Sequence, residues 1–337
     1  MDQRMADAPA PAGFGAEHDG FDGDSRTAVA GLGLVLAFAA ALWWLCAEHP
    51  ARLPDWAPWE FSWTQFVAAG LALFWYARGV ALTPAARRPG PWRHVAYVGG
   101  VAAIYTVLLT HFEYMAQHMF FLNRLQHLVM HHLGPFLIAL SWPGASLLRG
   151  MPPPVRRVIE WAPLQRVMWV VQQPVIAGTL FVGLIYLWLI PAVHVRAMID
   201  PRLYDVMNWT MVIDGLLFWS LVLDPRPSPP ARTSYAMRML VTTLVMFPQI
   251  MLGATITFST TSLYWYYDVC GRLYPSIGAL LDQHIGGVIL WIPSAMMSSA
   301  AFMLTLNNVR LNEERQPVME DDDDGPAPIS ASAWTGR

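Results

Sequence analysis

PVIAGTLFVGLIYLWLIPAV, residues 174–193, is a run of twenty residues without a charged side chain. An α-helix rises about 1.5 Å per residue, so roughly 20 apolar residues span the hydrocarbon core of a bilayer, which is about 30 Å thick. The segment VAYVGGVAAIYTVLL, residues 95–109, has the same apolar character. Both segments predict helices that cross a membrane.

The composition of the whole chain agrees with these two segments. Of 337 residues, 55% are hydrophobic and 13% are charged, whereas an ordinary soluble domain has about 25% charged residues. The net charge of -3 gives no basic surface for nucleic acid, which is bound by neutralising its phosphates. A nucleophile elbow, a phosphate-binding glycine loop and an HExxH motif are absent from the sequence, so we expect no enzyme activity.

Further apolar runs lie on both sides of the opening segment. Together they predict an all-α fold, a polytopic transmembrane helical bundle of about 7–8 spans. The predicted spans are residues 27–46, 62–82, 94–111, 124–141, 174–193, 206–223, 237–258 and 284–305. The chain thus divides into an acidic N-terminal segment, 1–26, expected to be disordered, a membrane domain, 27–305, and a disordered acidic tail, 306–337.

Arginines in the connections predict the orientation, because basic residues are retained on the cytoplasmic side. Nine arginines fall in one alternate set of connections and five in the other. Both termini are therefore expected in the cytoplasm. The first set is Arg87, Arg88, Arg93, Arg149, Arg156, Arg157, Arg166, Arg226 and Arg232, and the second is Arg52, Arg124, Arg196, Arg202 and Arg272.

Histidines concentrate in HFEYMAQHMFFLNRLQHLVMHHLGP, residues 111–135, which holds five of the ten in the chain. His127 and His131 are four residues apart, so they share one helical face about 6 Å apart along the axis, while His132 faces elsewhere. Such a pair can hold a transition metal, and imidazole suits zinc, copper and iron. The alternative is that single histidines cap helix ends or hydrogen-bond across the bundle.

In the predicted topology, His127 lies near the outer, non-cytoplasmic side of the membrane. Other polar residues fall near the same side. Met115 and Met119 flank His118, and soft thioethers with imidazoles select Cu(I), although methionine also commonly fills a core. We therefore predict a copper site, with copper as Cu(I). The candidate ligands are His111, Met115, His118, Met119, His127, His131, Asp282 and His284, and the secondary candidates are Cys46, Glu113, His194, Asp214 and Cys270.

The secondary candidates each leave alternatives open. Cys46 and Cys270 fall on the same outer side, where they form a disulfide, bind copper as thiolates, or are unrelated. Asp214 lies within a span, where it is either functional or protonated or hydrogen-bonded to a neighbouring helix. Glu113 either orients an imidazole or faces water. The tyrosines and tryptophan of residues 264–267 predict an aromatic belt at the outer interface.

Three segments carry a resemblance to a known family. They are NRLQHLVMHHLGPFLIALSWPG (123–144), RLYDVMNWTMVIDGLLFWSLVL (202–223) and YYDVCGRLYPSIGALLDQHIGGVILWIP (266–293). Over about residues 95–305 the chain resembles the CtaG-type cytochrome c oxidase assembly proteins, whose members show an HMxQH-like element, an LYD segment with a GLLFW helix, and a DQxxGGxxMW helix.

The resemblance implies a multi-pass protein of the bacterial inner (plasma) membrane. The resemblance also implies that such a protein helps to mature a haem-copper oxidase by handling the copper destined for the oxidase active centre. The implied partners are the oxidase subunits, the lipid bilayer and, as further candidates, periplasmic copper chaperones.

Individual positions match the family motifs or depart from them. His127 matches the second histidine of HMxQH, and the terminal motif is matched by Asp282, Gly286, Gly287 and Trp291. The two glycines are expected to permit close helix contact beside the site. Asn123 stands where the first histidine is common, Asn208 stands where the GLLFW helix often has histidine, and His284 replaces a common glutamine. Two imidazoles are thus missing unless His118, His131 or His284 substitutes for them.

Three hypotheses follow for the function. The first is a copper-handling assembly factor. The second is a membrane electron-transfer protein in which two histidines on facing helices ligate haem b. The third is a metal-free scaffold that binds oxidase subunits through its helices.

Overall fold

The computed structural model describes residues 25–49, 53–54 and 56–314, and all regular elements in these ranges are helices. The expected all-α fold class is therefore confirmed. The helices are α1 (Ser25–Glu48), α2 (Trp63–Ala81), α3 (Pro91–Leu109), α4 (His111–His118), α5 (Phe120–His127), a π-helical segment (Leu128–Leu133), α6 (Gly134–Ser141), α7 (Gly144–Gly150), α8 (Pro153–Ile159), α9 (Ala162–Val171), α10 (Pro174–Leu189), α11 (Pro191–Ile199), α12 (Pro201–Val222), α13 (Tyr235–Thr257), α14 (Tyr266–Val269) and α15 (Ala279–Glu313). A short 3₁₀ turn also covers Ala85–Arg87.

Several of these helices are long and apolar enough to cross a membrane, as expected of a multi-pass membrane protein. By length and composition four qualify alone: α3, α13, α15 and the part of α1 from Val29 to Glu48. The pair α9 and α10, bent by 75° at its break, makes a fifth if it counts as one span. Every one of the eight predicted segments falls on helix, whereas the span count of 7–8 stays a prediction.

The ends of the membrane domain differ slightly from the predicted boundaries. Helix α15 continues to Glu313, beyond the predicted end at residue 305, and LTLNNVRLNE contains no proline or glycine that would end the helix earlier. Helix α1 begins at Ser25. The rest of the two predicted terminal segments, residues 1–24 and 315–337, lies outside the described residues.

The fourth predicted span is a helix without a gap, but its middle part has a wider, π-helical turn. Helices α5 and α6 are joined by the π-helical segment, in which the amide of Gly134 donates to the carbonyl of Val129. In a π-helix each amide bonds five residues back instead of four, so one extra residue enters the turn. This changes which side chains of the histidine-rich stretch face the same way.

Glycines allow close packing of the last helix, as the sequence predicts for Gly286 and Gly287. A β-carbon on Gly287 would lie 3.0 Å from the carbonyl oxygen of Gly253 on α13, and one on Gly286 would meet the ring of Phe120 and the side chain of Arg124. The prediction of close helix contact is confirmed. These contacts hold α15 against α13 and α5.

The predicted aromatic belt is mostly wrong. Tyr264, Tyr266 and Tyr267 are buried and only Trp265 is exposed. The three hydroxyls hydrogen-bond to Leu189 O, Met198 O and the ring of His194, respectively. The tyrosines therefore fill the core at one end of the bundle, since the protein itself supplies partners for their hydroxyl groups.

Candidate functional site

A small cavity inside the bundle lies beside the π-helical segment. Its volume is about 10 Å³, close to the smallest void that holds one water molecule. The lining residues come from α5, the π-helical segment, α10, α12 and α15. They are Arg124, His127, Leu128, His131, His132, Ile185, Met211, Leu290 and Ser294.

His127 is the least satisfied side chain in this cavity. The residue is 4% exposed, and neither ring nitrogen has a hydrogen-bond partner within the described chain. Buried polar groups in native proteins are nearly always paired, and an unpaired one costs about 1–3 kcal/mol. His127 therefore holds an imidazole at the cavity with both nitrogens uncommitted to other protein groups.

His131 is oriented by a carboxylate from α12. Its Nε2 lies 3.0 Å from Oδ2 of Asp214, and both side chains are buried, which confirms the alternative that Asp214 hydrogen-bonds to a neighbouring helix. The ring stacks on Phe181 with centroids 4.2 Å apart, and Nδ1 has no partner. When Nε2 donates its proton to the carboxylate, Nδ1 carries the lone pair that can bind a metal.

His132 also lines the cavity, which corrects the expectation that it faces elsewhere. Its Nε2 lies 3.1 Å from Oε1 of Gln249, and its Nδ1 has no partner. The ring centroids of His131 and His132 are 4.8 Å apart. The physical reason is the π-helical turn, which has more residues per turn than an α-helix and so reduces the angle between successive side chains.

Met211 is a cavity residue that sequence reasoning missed. Its thioether side chain is 2% exposed and lines the cavity from α12. Met211 precedes Asp214 by three residues, and residues three apart share a helical face. This spacing to the carboxylate of the predicted span was the available signal, because the face that presents Asp214 to His131 also presents Met211.

A buried arginine lies next to these histidines. Arg124 is 2% exposed, donates to the side-chain oxygen of Asn123, and lies over the ring of Phe120 at 5.1 Å. No carboxylate forms an ion pair with it among the described residues. Asn123, which stands where the family commonly has histidine, therefore orients Arg124 and does not line the cavity.

The predicted ligands of α4 and its C-cap lie elsewhere. The ring of Tyr114 contacts His111 at 5.2 Å and His118 at 4.2 Å, and Nδ1 of His118 lies 2.8 Å from the carbonyl oxygen of Tyr114. Met119 is fully buried, and Met115 packs beside it in an apolar cluster. None of these four predicted ligands is among the residues that line the cavity.

Asp282 connects α15 to the start of α5. Its carboxylate accepts from the amides of Phe120 at 3.0 Å and Phe121 at 2.8 Å, and it pairs with Nη1 of Arg272 at 2.5 Å. These amides belong to the first turn of α5, whose donors lack helical partners. Asp282 therefore caps α5 from a distant part of the chain. His284 is bonded through Nε2 to the carbonyl of Ser259 at 2.9 Å.

The remaining candidates are separate from one another. His194 is buried with both nitrogens engaged, Nδ1 at 3.1 Å from Trp188 O and Nε2 at 2.9 Å from the hydroxyl of Tyr267. Cys46 donates to the carbonyl of Pro58 at 3.4 Å, while Cys270 is exposed. Both cysteines are free, so the structure contains no disulfide between them.

Glu113 is a buried carboxyl on α4, outside the candidate spans. Burial, and to a smaller extent the negative charges of Glu60 and Asp205, raise its pKa from 4.5 to about 8. Glu113 therefore holds its proton at neutral pH in the folded protein. No hydrogen bond from its carboxyl to an imidazole occurs among the described residues.

The candidate histidines do not come together with acidic or cysteine side chains around one point. Among the described residues, no group of three or more His, Cys, Asp or Glu side chains is placed to hold a metal ion together. The cavity instead offers the unpaired nitrogens of His127, His131 and His132 together with the sulfur of Met211. Chemically this is a neutral, soft donor set beside a fixed positive charge.

Comparison with known proteins gives one match. The model of a protein family described as cytochrome c oxidase caa3 assembly factor matches residues 74–310, which include every residue that lines the cavity. The resemblance drawn over residues 95–305 is thereby confirmed. No curated protein and no solved structure matches the chain.

Proposed function

The chain belongs to the cytochrome c oxidase caa3 assembly factor family, and on this premise we propose that it binds Cu(I) and passes it to a haem-copper oxidase. The observation that carries the copper role is His127, whose two buried nitrogens have no protein partner. A histidine binds a metal only as a neutral imidazole, through a ring nitrogen that carries a lone pair. Imidazoles combined with a thioether favour Cu(I) over harder ions.

The proposed ligand set differs from the one expected from the family motifs. His131, His132 and Met211 line the same cavity as His127. Since no three histidines of the described residues are placed to hold one ion together, the proposed ligands are His127, one of the other two imidazoles and the sulfur of Met211, in place of the histidine that Asn123 replaces. The charge of Arg124 beside the cavity repels a cation and weakens its binding. Weak binding suits a protein that must release its cargo, so copper is transferred here and no enzymatic step is involved.

The proposed topology puts this site in reach of the outer face. With both termini cytoplasmic, which requires an even number of spans and therefore eight of the predicted 7–8, α5 enters from the periplasmic side of the bacterial inner membrane, where Asp282 caps it. Copper then arrives from the periplasm or from a periplasmic copper chaperone. The oxidase subunit docks laterally in the bilayer. The distribution of arginines supports this orientation.

His127→Ala is expected to abolish most copper binding, because it removes both unpaired nitrogens. The detergent-purified protein is loaded anaerobically with Cu(I), desalted, and analysed for copper per polypeptide and for its visible spectrum. Wild type should retain copper without a visible band. The matched control is His94→Ala, since His94 on α3 bonds to the hydroxyl of Tyr76 at 2.9 Å and lies outside the cavity.

The copper content, the visible spectrum and an assay of oxidase assembly in cells together distinguish the three functional hypotheses. Equal copper in wild type and His127→Ala would contradict the assignment of His127. A Soret band in the wild-type protein would favour the haem-binding alternative. Normal oxidase assembly in cells that carry both His127→Ala and His131→Ala would favour a metal-free scaffold.

Asp214→Asn is expected to weaken Cu(I) binding about 10–100-fold, as loss of a group that orients a ligating histidine typically does. The amide can donate to Nε2 of His131, which moves the ring proton to Nδ1 and blocks its lone pair. The measurement is a competition titration against a colorimetric Cu(I) chelator. Asp205→Asn, on the same helix and bonded to Gln65, is the control. Unchanged affinity in Asp214→Asn would remove His131 from the ligand set.

A further inference from the structure

A second and larger cavity lies between α2, α3 and α12, away from the histidines. Its volume is about 150 Å³ and its wall is almost entirely apolar. An apolar cavity of about this size in another protein accepts a benzene ring. The alanines of α2, Ala68, Ala69 and Ala72, leave this space because their side chains are short, and Ala68 is exposed at its rim.

Two buried amide side chains interrupt the apolar wall. Asn208 is 1% exposed, and neither its oxygen nor its nitrogen makes a hydrogen bond of normal geometry to the part of the chain that the structure describes. Gln65 is 7% exposed, and its Nε2 donates to Asp205 at 3.4 Å while its Oε1 has no partner. The hydroxyl of Tyr204, which lies beside Asn208, donates to Gln126 at 3.1 Å. The cavity therefore has two unpaired acceptors and one unpaired donor.

These unpaired atoms narrow the chemistry of a ligand. A saturated acyl chain fills an apolar space but offers no hydrogen bond to either amide. A quinone ring has only carbonyl acceptors, so it pairs with Nδ2 of Asn208 and leaves both amide oxygens without a donor. A quinol ring has two hydroxyl groups, and each one both donates and accepts. The reduced ring therefore satisfies all three atoms.

We propose that this cavity binds the ring of a membrane quinol. Its hydroxyl groups bond to Asn208 and Gln65, and its isoprenoid tail leaves past Ala68 into the lipid. Mostly apolar walls with a few polar groups that fix orientation are typical of small-molecule sites. The proposal concerns binding alone. It does not depend on the copper site, because none of its residues lines the first cavity.

The test is equilibrium binding of a short-chain benzoquinol to the full chain in quinone-free lipid nanodiscs under anaerobic conditions. Trp209 lines the cavity, so quenching of tryptophan fluorescence reports occupancy. Wild type should bind the quinol saturably and the oxidised quinone more weakly. Asn208→Leu should lower the quinol affinity about 10-fold, because it removes hydrogen bonds at nearly constant side-chain volume.

Two further variants keep the result interpretable. Asn208→Leu is expected to fold, since replacing an unpaired buried polar group by an apolar one of similar shape is neutral or stabilising, and its thermal unfolding midpoint checks this. Ala69→Leu should fill the cavity and block the ring. Gln165→Leu, on α9 and bonded only to Ile159 O, should bind like wild type.

Two outcomes would overturn the proposal. One is tryptophan quenching that rises linearly with quinol concentration and is equal in all variants. Such a result would mean that the quinol only partitions into the lipid. The other is saturable quinol binding that Asn208→Leu leaves unchanged and that a fatty acid without a ring displaces, which would make the cavity an acyl-chain groove.

Discussion

Asp282→Ala is expected to lower the free energy of unfolding by about 3–5 kcal/mol, the usual cost of removing one partner from a buried ion pair. The carboxylate is enclosed, with its side chain 1% exposed, and it binds Arg272 and two backbone amides of α5 at once. The variant leaves both amides without an acceptor. Equilibrium unfolding of the metal-free protein in detergent measures the change.

A second carboxylate on the same arginine supplies the control. Asp268 pairs with Arg272 at 2.8 Å, but its side chain is 45% exposed, so Asp268→Asn should cost less than about 1 kcal/mol. Hydrogen exchange at Phe120 and Phe121 should accelerate only in Asp282→Ala. If Asp282 acts mainly as a metal ligand, metal-free Asp282→Ala will be as stable as wild type, contrary to this expectation.

Glu113→Gln is expected to remove a pH dependence of stability between about pH 4.5 and pH 8. Burial raises the pKa of Glu113 from 4.5 to about 8, so over this interval the folded protein keeps a proton that the unfolded chain releases. Stability therefore falls as pH rises through the interval and is constant outside it. Each pKa unit corresponds to 1.36 kcal/mol, which gives a total of about 5 kcal/mol.

The comparison requires unfolding curves at several pH values. At pH 4 wild type and Glu113→Gln should be equally stable, because glutamine resembles the protonated acid. At pH 8 the variant should be the more stable protein. Glu160→Gln is the control, since Glu160 at the end of α8 is exposed and is not among the groups that raise the pKa of Glu113. Parallel curves for wild type and Glu113→Gln would show that Glu113 is ionised in the folded state.

The helices were predictable because hydrophobicity is a local property of the sequence. The predicted spans all fall on helix, and His127 lies on the helix of the fourth predicted span, where the motif places it. The environment of each polar residue was harder to predict from the sequence than the helices were. Asp282 caps a helix that begins 162 residues earlier, and no local pattern predicts such a contact.

The candidate site, too, could be predicted from the sequence only in part. The pair His127 and His131 follows from their spacing, whereas the inclusion of His132 depends on a π-helical turn that helical periodicity does not reveal. Met211 joins the site only because α12 packs against this turn. The indole of Trp219 donates to the carbonyl of His131 at 3.2 Å, a contact between distant parts of the chain that sequence spacing cannot supply.

The π-helical turn also has a consequence for how this site is inherited. A π-helical turn is an α-helix that has gained one residue. Deleting a single residue from Leu128–Leu133 would leave a helix long enough for the same span, yet it would rotate one histidine of the neighbouring pair away from the cavity. In related genes, a one-codon insertion or deletion can therefore create or erase the cavity's donor set while every histidine remains in the alignment.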